Sequence, residues 1–332
     1  MTDIDRQALA TALGVLAAVH IALVLGLQQP YWAALSVLII SNVDRTALFT
    51  KGVLRVAGTL FGVGAGYVVA MRVEGLPVIQ AVLLMMAAGL GTYARQRSAY
   101  AYAWFYGALS FMLVLLSSMT EPAQLYDFMV YRCSEIVIGV VAATVANWAL
   151  GPRPGELPAG VAAAPSAVTP EEAARHALAA SVGALCIVLA WVEFDLPQLI
   201  QVLISSLIVV DINVAATRHR GFQRIAGCLI GGAAGLSVIV IDAVDQLWWT
   251  VMLFVGVLLC ARVHLGRTPY AYVGTQAAIA FLVTLVDVGP PGSIMPPLDR
   301  LVGIVLGVSL MMLVVWALNP PRPLPAAAGP AG

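Results

Sequence analysis

The chain has 332 residues, of which 61% are hydrophobic and only 10% are charged, and its mean hydropathy is +0.93. Soluble domains contain roughly 45–50% apolar and about 25% charged residues, so the composition excludes a water-soluble globular protein and a disordered chain. Lysine and arginine number 17 and are balanced by 17 acidic residues, so no basic excess indicates a nucleic-acid partner. We therefore predict an all-α integral membrane protein that is surrounded by the lipid bilayer.

Apolar stretches suited to membrane helices occur in two sets, since a spanning helix needs about 20 mostly apolar residues. The first set lies at about 8–27, 30–43, 51–71, 76–93, 100–118 and 129–150. The second set lies at about 173–192, 197–212, 220–241, 246–263, 270–287 and 298–318. The second stretch of each set is short and has polar residues at its edges. The sequence predicts about twelve transmembrane helices in these domains: a first six-helix repeat at 1–152, a Pro/Ala-rich cytoplasmic linker at 153–172, a second six-helix repeat at 173–320, and a short cytoplasmic tail at 321–332.

Internal similarity indicates that the two sets are repeats. The segment Lys51–Gly66 lies 169 positions before Arg220–Gly235, and eight of the sixteen residue pairs are identical. Polar residues recur in nearly the same register: Ser36 with Ser205, Asn42 with Asp211, and Arg132 with Arg300. Six helices return the chain to the side on which it started, so the repeats are predicted to be parallel, related by an axis along the membrane normal.

The distribution of lysine and arginine predicts the orientation. With the N-terminus inside, 14 of the 17 basic residues fall in cytoplasmic segments, in agreement with the excess of positive charge on that side of membrane proteins. Both termini are therefore expected to be cytoplasmic.

Four arginines are the main candidates for function. Arg55 and Arg224 lie about one turn inside the third and ninth helices, where an arginine costs roughly 2.5–3.5 kcal/mol unless it faces a cavity or a partner. Arg132 and Arg300 lie near the outer start of the sixth and twelfth helices, against the charge bias. Guanidinium groups bind carboxylates bidentately and stay charged, so the four predict a path for anions. Two alternatives remain open: Arg55 and Arg224 extend to the interface, or Arg132 forms a structural ion pair with Glu135.

Polar residues on the short second and eighth helices are further candidates for the substrate path, because short spans at matching positions often mark a transporter site. These residues are Ser36, Ser205, Asn42 and Asp211. The alternative is that they cap the helix ends.

Three titratable residues in or beside the helices could carry a coupled proton: His20, Glu135 and Asp211. A packed, hydrogen-bonded histidine is the alternative for His20. The cysteines have no partners at the spacing of metal ligands, and no nucleophile–base pair or phosphate loop is present. We therefore expect no metal, no cofactor and no enzymatic activity.

Glycines and aromatic residues have simpler interpretations. Small residues spaced along one face allow close helix packing in membranes, and this is the role expected of Gly58, Gly62, Gly66, Gly227, Gly231 and Gly235. Aromatic residues crowd the start of the fifth helix: Tyr100, Tyr102, Trp104, Phe105 and Tyr106. An aromatic belt at the interface explains them, and stacking against a planar substrate is the alternative.

The chain resembles the fusaric acid resistance-like (FUSC) family at Pro30-Tyr-Trp-Ala33, at Asn42, and at Arg55-Val-Ala-Gly-Thr-Leu-Phe-Gly62. That family includes bacterial aromatic acid exporters and is related to plant aluminium-activated malate transporters. The resemblance implies a helical permease in the bacterial inner membrane that moves organic carboxylates out of the cytoplasm. It also implies that the anion path is lined by Arg55, Arg224, Arg132 and Arg300.

The sequence hypothesis is therefore an inner-membrane exporter of organic acids, with aromatic carboxylic acids favoured, that uses an arginine-lined path between the repeats. Its partners would be small organic anions, while a homo-oligomer and a periplasmic partner protein both remain open. A passive organic-anion channel is one alternative. A non-transporting membrane subunit that scaffolds a partner protein is another.

Overall fold

The computed structural model describes residues 2–152, 168–194, 198–209, 214–241, 245–266 and 268–318. Within these residues the regular structure is helical throughout, as predicted from composition. A 3-10 turn, Pro122–Gln124, precedes the sixth helix. The twelve α-helices are α1 Asp3–Val24, α2 Tyr31–Ile40, α3 Arg45–Arg72, α4 Pro77–Arg97, α5 Ala101–Thr120, α6 Leu125–Leu150, α7 Pro170–Phe194, α8 Leu199–Val209, α9 Val214–Val240, α10 Gln246–Leu265, α11 Ala271–Leu285 and α12 Met295–Leu318.

Nine of the described helices are long and apolar enough to cross a bilayer, which makes this a multi-pass membrane protein. The other three are shorter: α2 has 10 residues, α8 has 11 and α11 has 15. At 1.5 Å per residue, α2 extends about 15 Å, or half of the hydrocarbon core. Of the about twelve predicted transmembrane helices, all twelve are present as helices, and nine of those in the described residues are long and apolar enough to span a bilayer. The helix α11 was predicted at about 270–287, but its length of 15 residues was not. It ends before a segment rich in glycine and proline, residues 289–292, that cannot continue a helix.

The short helices α2 and α8 lie in the middle of the bundle. α2 packs against α1, α3, α6 and α11, and α8 packs against α5, α7, α9 and α12. In α2 every residue except Ile39 is buried, as expected of a helix that is apolar on all sides. The outward faces of the long helices instead carry exposed apolar side chains such as Phe61 and Leu229, which suit a lipid environment.

Local signals at the helix starts agree with the sequence. Thr2 accepts a hydrogen bond from the backbone N–H of Asp5, and the Asp5 carboxylate accepts one from the N–H of Thr2, which is a capping box at the start of α1. Asp44 and Asp245 cap α3 and α10 in the same way with single bonds. Pro77 occupies the first turn of α4, where its missing N–H is not needed.

Glycines bring two helix pairs into close contact. A Cβ atom added to Gly62 on α3 would meet the backbone carbonyl of Gly107 on α5, and one added to Gly231 on α9 would meet the carbonyl of Ala277 on α11. Three of the remaining glycines also approach backbone atoms of the facing helix, Gly58 at Ala103, Gly66 at Phe111 and Gly227 at Val273, while Gly235 approaches the side chain of Thr284. Only glycine leaves room for backbones at this separation.

We expect Gly62→Ala to lower the free energy of unfolding by about 1–3 kcal/mol, because the new methyl group would overlap a backbone carbonyl that cannot rotate away. Gly64→Ala, two positions along the same helix, is the matched control, since nothing lies within 4 Å of its added Cβ. That variant should be neutral or more stable by up to about 1 kcal/mol from helix propensity. Thermal unfolding in detergent measures both, and equal melting temperatures for the two variants would contradict the close approach of α3 to α5.

Candidate functional site

Arg55 is enclosed between α3, α2 and α5, and only 1% of it is exposed. Its Nε donates a hydrogen bond of 3.2 Å to Oγ of Ser36 on α2, and its guanidinium carbon lies 4.1 Å from the ring centre of Tyr106 on α5. The Ser36 hydroxyl donates to the carbonyl of Trp32 at 2.8 Å, which leaves its oxygen lone pairs for Arg55. Arg55 Nη1 is buried and has no hydrogen-bond partner. The side chain is buried between these helices, and it keeps an unused donor.

Arg224 has the matching position in the second set of helices. It is 2% exposed, and its Nη2 donates to Oγ of Ser205 on α8 at 3.0 Å. Its Nη1 donates to the side-chain oxygen of Gln276 on α11, and its Nε is buried without a partner. Both arginines therefore bond a serine that lies 19 residues earlier on a short central helix. The second contact differs: Gln276, which bonds Arg224, stands 170 positions after the aromatic Tyr106, which packs on Arg55.

Arg132 reaches the same face of α2 as Arg55. It is 3% exposed, and its guanidinium carbon lies 3.5 Å from the ring centre of Trp32, which is one turn before Ser36. Gly139 on α6 allows this approach, because an added Cβ would lie 2.6 Å from the Cβ of Ser36. Nε and Nη1 of Arg132 are buried without hydrogen-bond partners. The central helix α2 thus holds two arginines from different long helices.

Arg300 contacts α2 from the second set of helices. Its guanidinium carbon lies 5.2 Å from the ring centre of Tyr31, whose ring is itself 5.2 Å from that of Trp32. Its Nη1 donates to the carbonyl of Val283 at 3.1 Å, and its Nη2 lies 3.7 Å from the Asp287 carboxylate. Arg300, from the second set of helices, therefore packs against the ring of Tyr31, and Arg132, from the first set, packs against the neighbouring ring of Trp32.

Gln29 fixes these two rings. Its side-chain oxygen accepts hydrogen bonds from Tyr31 Oη at 3.0 Å and from Trp32 Nε1 at 2.8 Å. Its backbone N–H donates to Glu135 Oε1 at 2.8 Å, and Glu135 is 1% exposed. A space of about 10 Å³, enough for about one water molecule, lies beside this network and is lined by Gln28, Gln29, Phe128, Tyr131, Arg132 and Glu135.

Other predicted residues lie apart from the arginines. His20 Nδ1 bonds the Leu16 carbonyl at 2.8 Å, and its Nε2 lies 3.3 Å from Oγ1 of Thr250 where α1 meets α10. Asn42 accepts a hydrogen bond from the N–H of Asp44 at 2.9 Å, a local turn between Ser41, the C-cap residue of α2, and Asp44, the N-cap residue of α3. Asp211 lies outside the described residues.

A second buried polar network was missed by the sequence analysis. Asn147 on α6 donates to the Gln7 side chain at 2.5 Å, Gln7 donates to Ser41 at 3.2 Å, and Ser41 and Thr11 share a bond of 2.5 Å. The network joins α1, α2 and α6 at the end of α2 opposite Tyr31. The spacing of Gln7 and Thr11, four residues apart on an apolar helix, was the signal that could have indicated it.

The larger cavities are open and apolar and do not contain the four arginines. A groove of about 470 Å³ lies between α3, α4 and α5, and another of about 480 Å³ lies between α1 and α6; both are open and lined by apolar side chains such as Phe61 and Ile21. The arginines are packed in the protein interior. A substrate could therefore reach the arginines only if helices move apart.

Comparison with protein families agrees with the resemblance noted in the sequence. The model described as the fusaric acid resistance protein family matches residues 6–167, and the model described as fusaric acid resistance protein-like matches residues 183–314. The chain belongs to the fusaric acid resistance family. The two matches cover both sets of helices, including all four arginines.

The chain is similar to the p-hydroxybenzoic acid efflux pump subunit AaeB of Shigella boydii serotype 4, with 29% identity over 166 residues. The same identity is found with AaeB of Escherichia coli O9:H4 and of Escherichia coli O157:H7. Each alignment covers 46% of this chain and 25% of the relative, so the match spans only a quarter of the length of these curated proteins. No solved structure matches the chain.

We expect Ser36→Ala to destabilise the protein by about 1–3 kcal/mol, because it leaves a buried guanidinium donor without its acceptor. Ser134→Ala on α6 is the control, since its exposed hydroxyl bonds only the carbonyl of Val130 one turn before it. Chemical unfolding in detergent compares the two. If the variants lose equal stability, the bond between Arg55 and Ser36 contributes nothing beyond the serine's own helix contact.

Proposed function

We propose that this protein is an inner-membrane exporter of organic acids, in particular aromatic carboxylic acids. The observation that carries the proposal is the matched burial of Arg55 and Arg224 against serines of the short helices α2 and α8. Membership of the fusaric acid resistance family supports it. The AaeB relatives are named for efflux of p-hydroxybenzoic acid, which supports an aromatic substrate.

The chemistry of the arginines fits a carboxylate ligand. The hydrogen-bond acceptors of Arg55 and Arg224 are neutral: Ser36 for the first, Ser205 and Gln276 for the second. A buried positive charge with neutral partners attracts an anion more strongly than one that is already paired. Each guanidinium also has an unused donor, so a carboxylate can form charge-assisted hydrogen bonds there.

The substrate path would run between two parallel six-helix repeats, residues 1–152 and 173–320, joined by a cytoplasmic linker at 153–172. Contacts between the two sets of helices support this arrangement. α1 contacts α10 while α7 contacts α4, and α2 contacts α11 while α8 contacts α5. The helices α7, α8, α10 and α11 match α1, α2, α4 and α5 of the first set, so each of these contacts occurs twice with the two sets exchanged. A twofold axis between the repeats requires such matched contacts.

The proposed orientation has both termini and the tail at 321–332 in the cytoplasm, and it rests on the excess of basic residues on that side. In this orientation Arg55 and Arg224 lie toward the cytoplasm, and Arg132 and Arg300 lie toward the outside. The acid would meet the inner pair first and the outer pair last. The name of the AaeB relatives, a pump subunit, supports a partner protein, and we propose that this partner lies in the periplasm.

Arg55→Gln and Arg224→Gln should each reduce transport of p-hydroxybenzoate by about 10- to 150-fold, since a hydrogen bond to a charged group contributes about 1.5–3 kcal/mol. Arg72→Gln is the control, because Arg72 is an exposed residue at the other end of α3. Uptake of the radiolabelled acid into inside-out membrane vesicles measures the effect, with folded protein quantified by gel filtration.

Uptake and current measurements together distinguish the exporter from the channel. Uptake by an exporter saturates with substrate concentration, whereas a channel passes a current that reverses at the equilibrium potential of the anion. Normal transport by both arginine variants would remove these residues from the path. The absence of p-hydroxybenzoate, benzoate and aliphatic carboxylate transport by the unmodified protein would contradict the proposed function and favour a scaffold subunit.

A further inference from the structure

We propose that the open groove between α1 and α6 binds the acyl chain of an anionic phospholipid, whose phosphate is held by arginines at one end of the groove. This site is separate from the buried contacts of Arg55 and Arg224, and it goes beyond the proposed transport function. It is supported by the lining of the groove, by the positions of two arginines, and by the side chains at the matching positions of the second set of helices.

The groove has the character and the length that an acyl chain requires. Its volume is about 480 Å³, and it is lined only by apolar side chains, among them the small Ala17 and Ala146 and the exposed Ile21 and Val145. On α6 the lining residues span 137–150, which is about 20 Å at 1.5 Å per residue. One leaflet of the hydrocarbon core is about 15 Å thick. A lipid chain of one leaflet can therefore lie along the groove.

Arg45 lies at the end of the groove where α6 ends. Its Nη2 donates to the carbonyl of Trp148 at 3.2 Å and to the carbonyl of Gly151 at 3.1 Å. These two residues flank Ala149 and Leu150, which line the groove. The Trp148 side chain is 76% exposed, as is typical of aromatic residues at the level of the lipid headgroups. The end of the groove beside Arg45 therefore fits the headgroup region.

A second arginine stands at the start of α1. Arg6 precedes Leu13, a lining residue, by seven positions and so shares its face of the helix. The nearby carboxylates have partners of their own, since Asp5 pairs with Arg262 at 2.8 Å and Asp44 caps α3. Guanidinium groups form strong charge-assisted hydrogen bonds with phosphate, and basic residues at a membrane surface attract anionic lipids. An anionic headgroup is therefore favoured over a zwitterionic one.

The second set of helices places larger side chains at the matching positions. Gly14 on α1 and Gly183 on α7 are 169 residues apart. A Cβ added to Gly14 would meet Ala146 of α6, whereas one added to Gly183 would meet Met311 and Val314 of α12. Val314 is the counterpart of Ala146 in the register that relates α6 to α12. The groove is therefore open because α6 carries the smaller side chain, and a lipid chain supplies the packing contacts that the protein does not make there.

Native mass spectrometry of the full chain in a mild detergent tests the proposal. The probes are dioleoylphosphatidylglycerol, which is anionic, and dioleoylphosphatidylcholine, which is zwitterionic and has the same acyl chains. The unmodified protein should retain phosphatidylglycerol more tightly than phosphatidylcholine. Arg45→Gln should weaken the binding of phosphatidylglycerol about fivefold, since one basic residue near an anionic lipid surface contributes about 1 kcal/mol.

Two variants narrow the groove itself. Ala17→Phe introduces a ring from an exposed position of α1 and should lower the number of retained phosphatidylglycerol molecules by one. Ala146→Val introduces the side chain that α12 carries at the matching position, and it should weaken the binding of the same molecule. Ala234→Phe is the matched control, because Ala234 is an exposed alanine of α9 that does not line this groove; its lipid retention should equal that of the unmodified protein.

Unchanged retention of phosphatidylglycerol by both groove variants would overturn the groove as a lipid site. Equal binding of the two lipids by the unmodified protein, a measurement that needs no variant, would overturn the role of the arginines. A change of oligomeric state in Ala17→Phe with unchanged lipid retention would show that a second copy of the chain covers the groove, which also contradicts the proposal. Uptake of p-hydroxybenzoate into vesicles tests the proposed function separately, so the two can fail independently.

Discussion

The burial of guanidinium groups in an apolar bundle is the constraint on which the rest of this structure depends. An arginine inside a membrane protein needs acceptors, aromatic faces and exclusion from lipid. The short helices α2 and α8 supply the serine acceptors, Ser36 and Ser205, from the centre of the bundle. The glycine contacts between α3 and α5 and between α9 and α11 bring the long helices close enough to enclose both arginines.

The short helices α2 and α8 differ at their first residues. As a result, two arginines contact aromatic rings on α2. In α2, Tyr31 and Trp32 present rings to Arg300 and Arg132. The position 169 residues after Trp32 is Gln201, which has no ring. Arg300 therefore contacts the ring on α2 instead of a matching ring on α8, and α2 links the two sets of helices.

The sequence predicted the twelve helices, the short α2 and α8, and the matching positions of Arg55 and Arg224 in the two sets. Hydropathy and a shared register can be read from the sequence without knowing how the helices pack. It did not predict the partners of each arginine. Tyr106 and Gln276 occupy matching positions but bind their arginines by different interactions, and only packed coordinates reveal this. The role of Gln29 was also missed, because a glutamine before a short helix resembles an ordinary loop residue. Its hydrogen bonds from Tyr31 and Trp32 depend on the orientation of the two rings, which the sequence does not give.

A structure of the full chain with p-bromobenzoate tests the central claim most directly, because the bromine locates the ligand without ambiguity. We expect the carboxylate to lie about 2.7–3.2 Å from guanidinium nitrogens of Arg55 or Arg224, with the serine bond of that arginine replaced or shared. Bromine density confined to the apolar groove between α3, α4 and α5, with both arginine–serine bonds intact, would contradict an arginine-lined path.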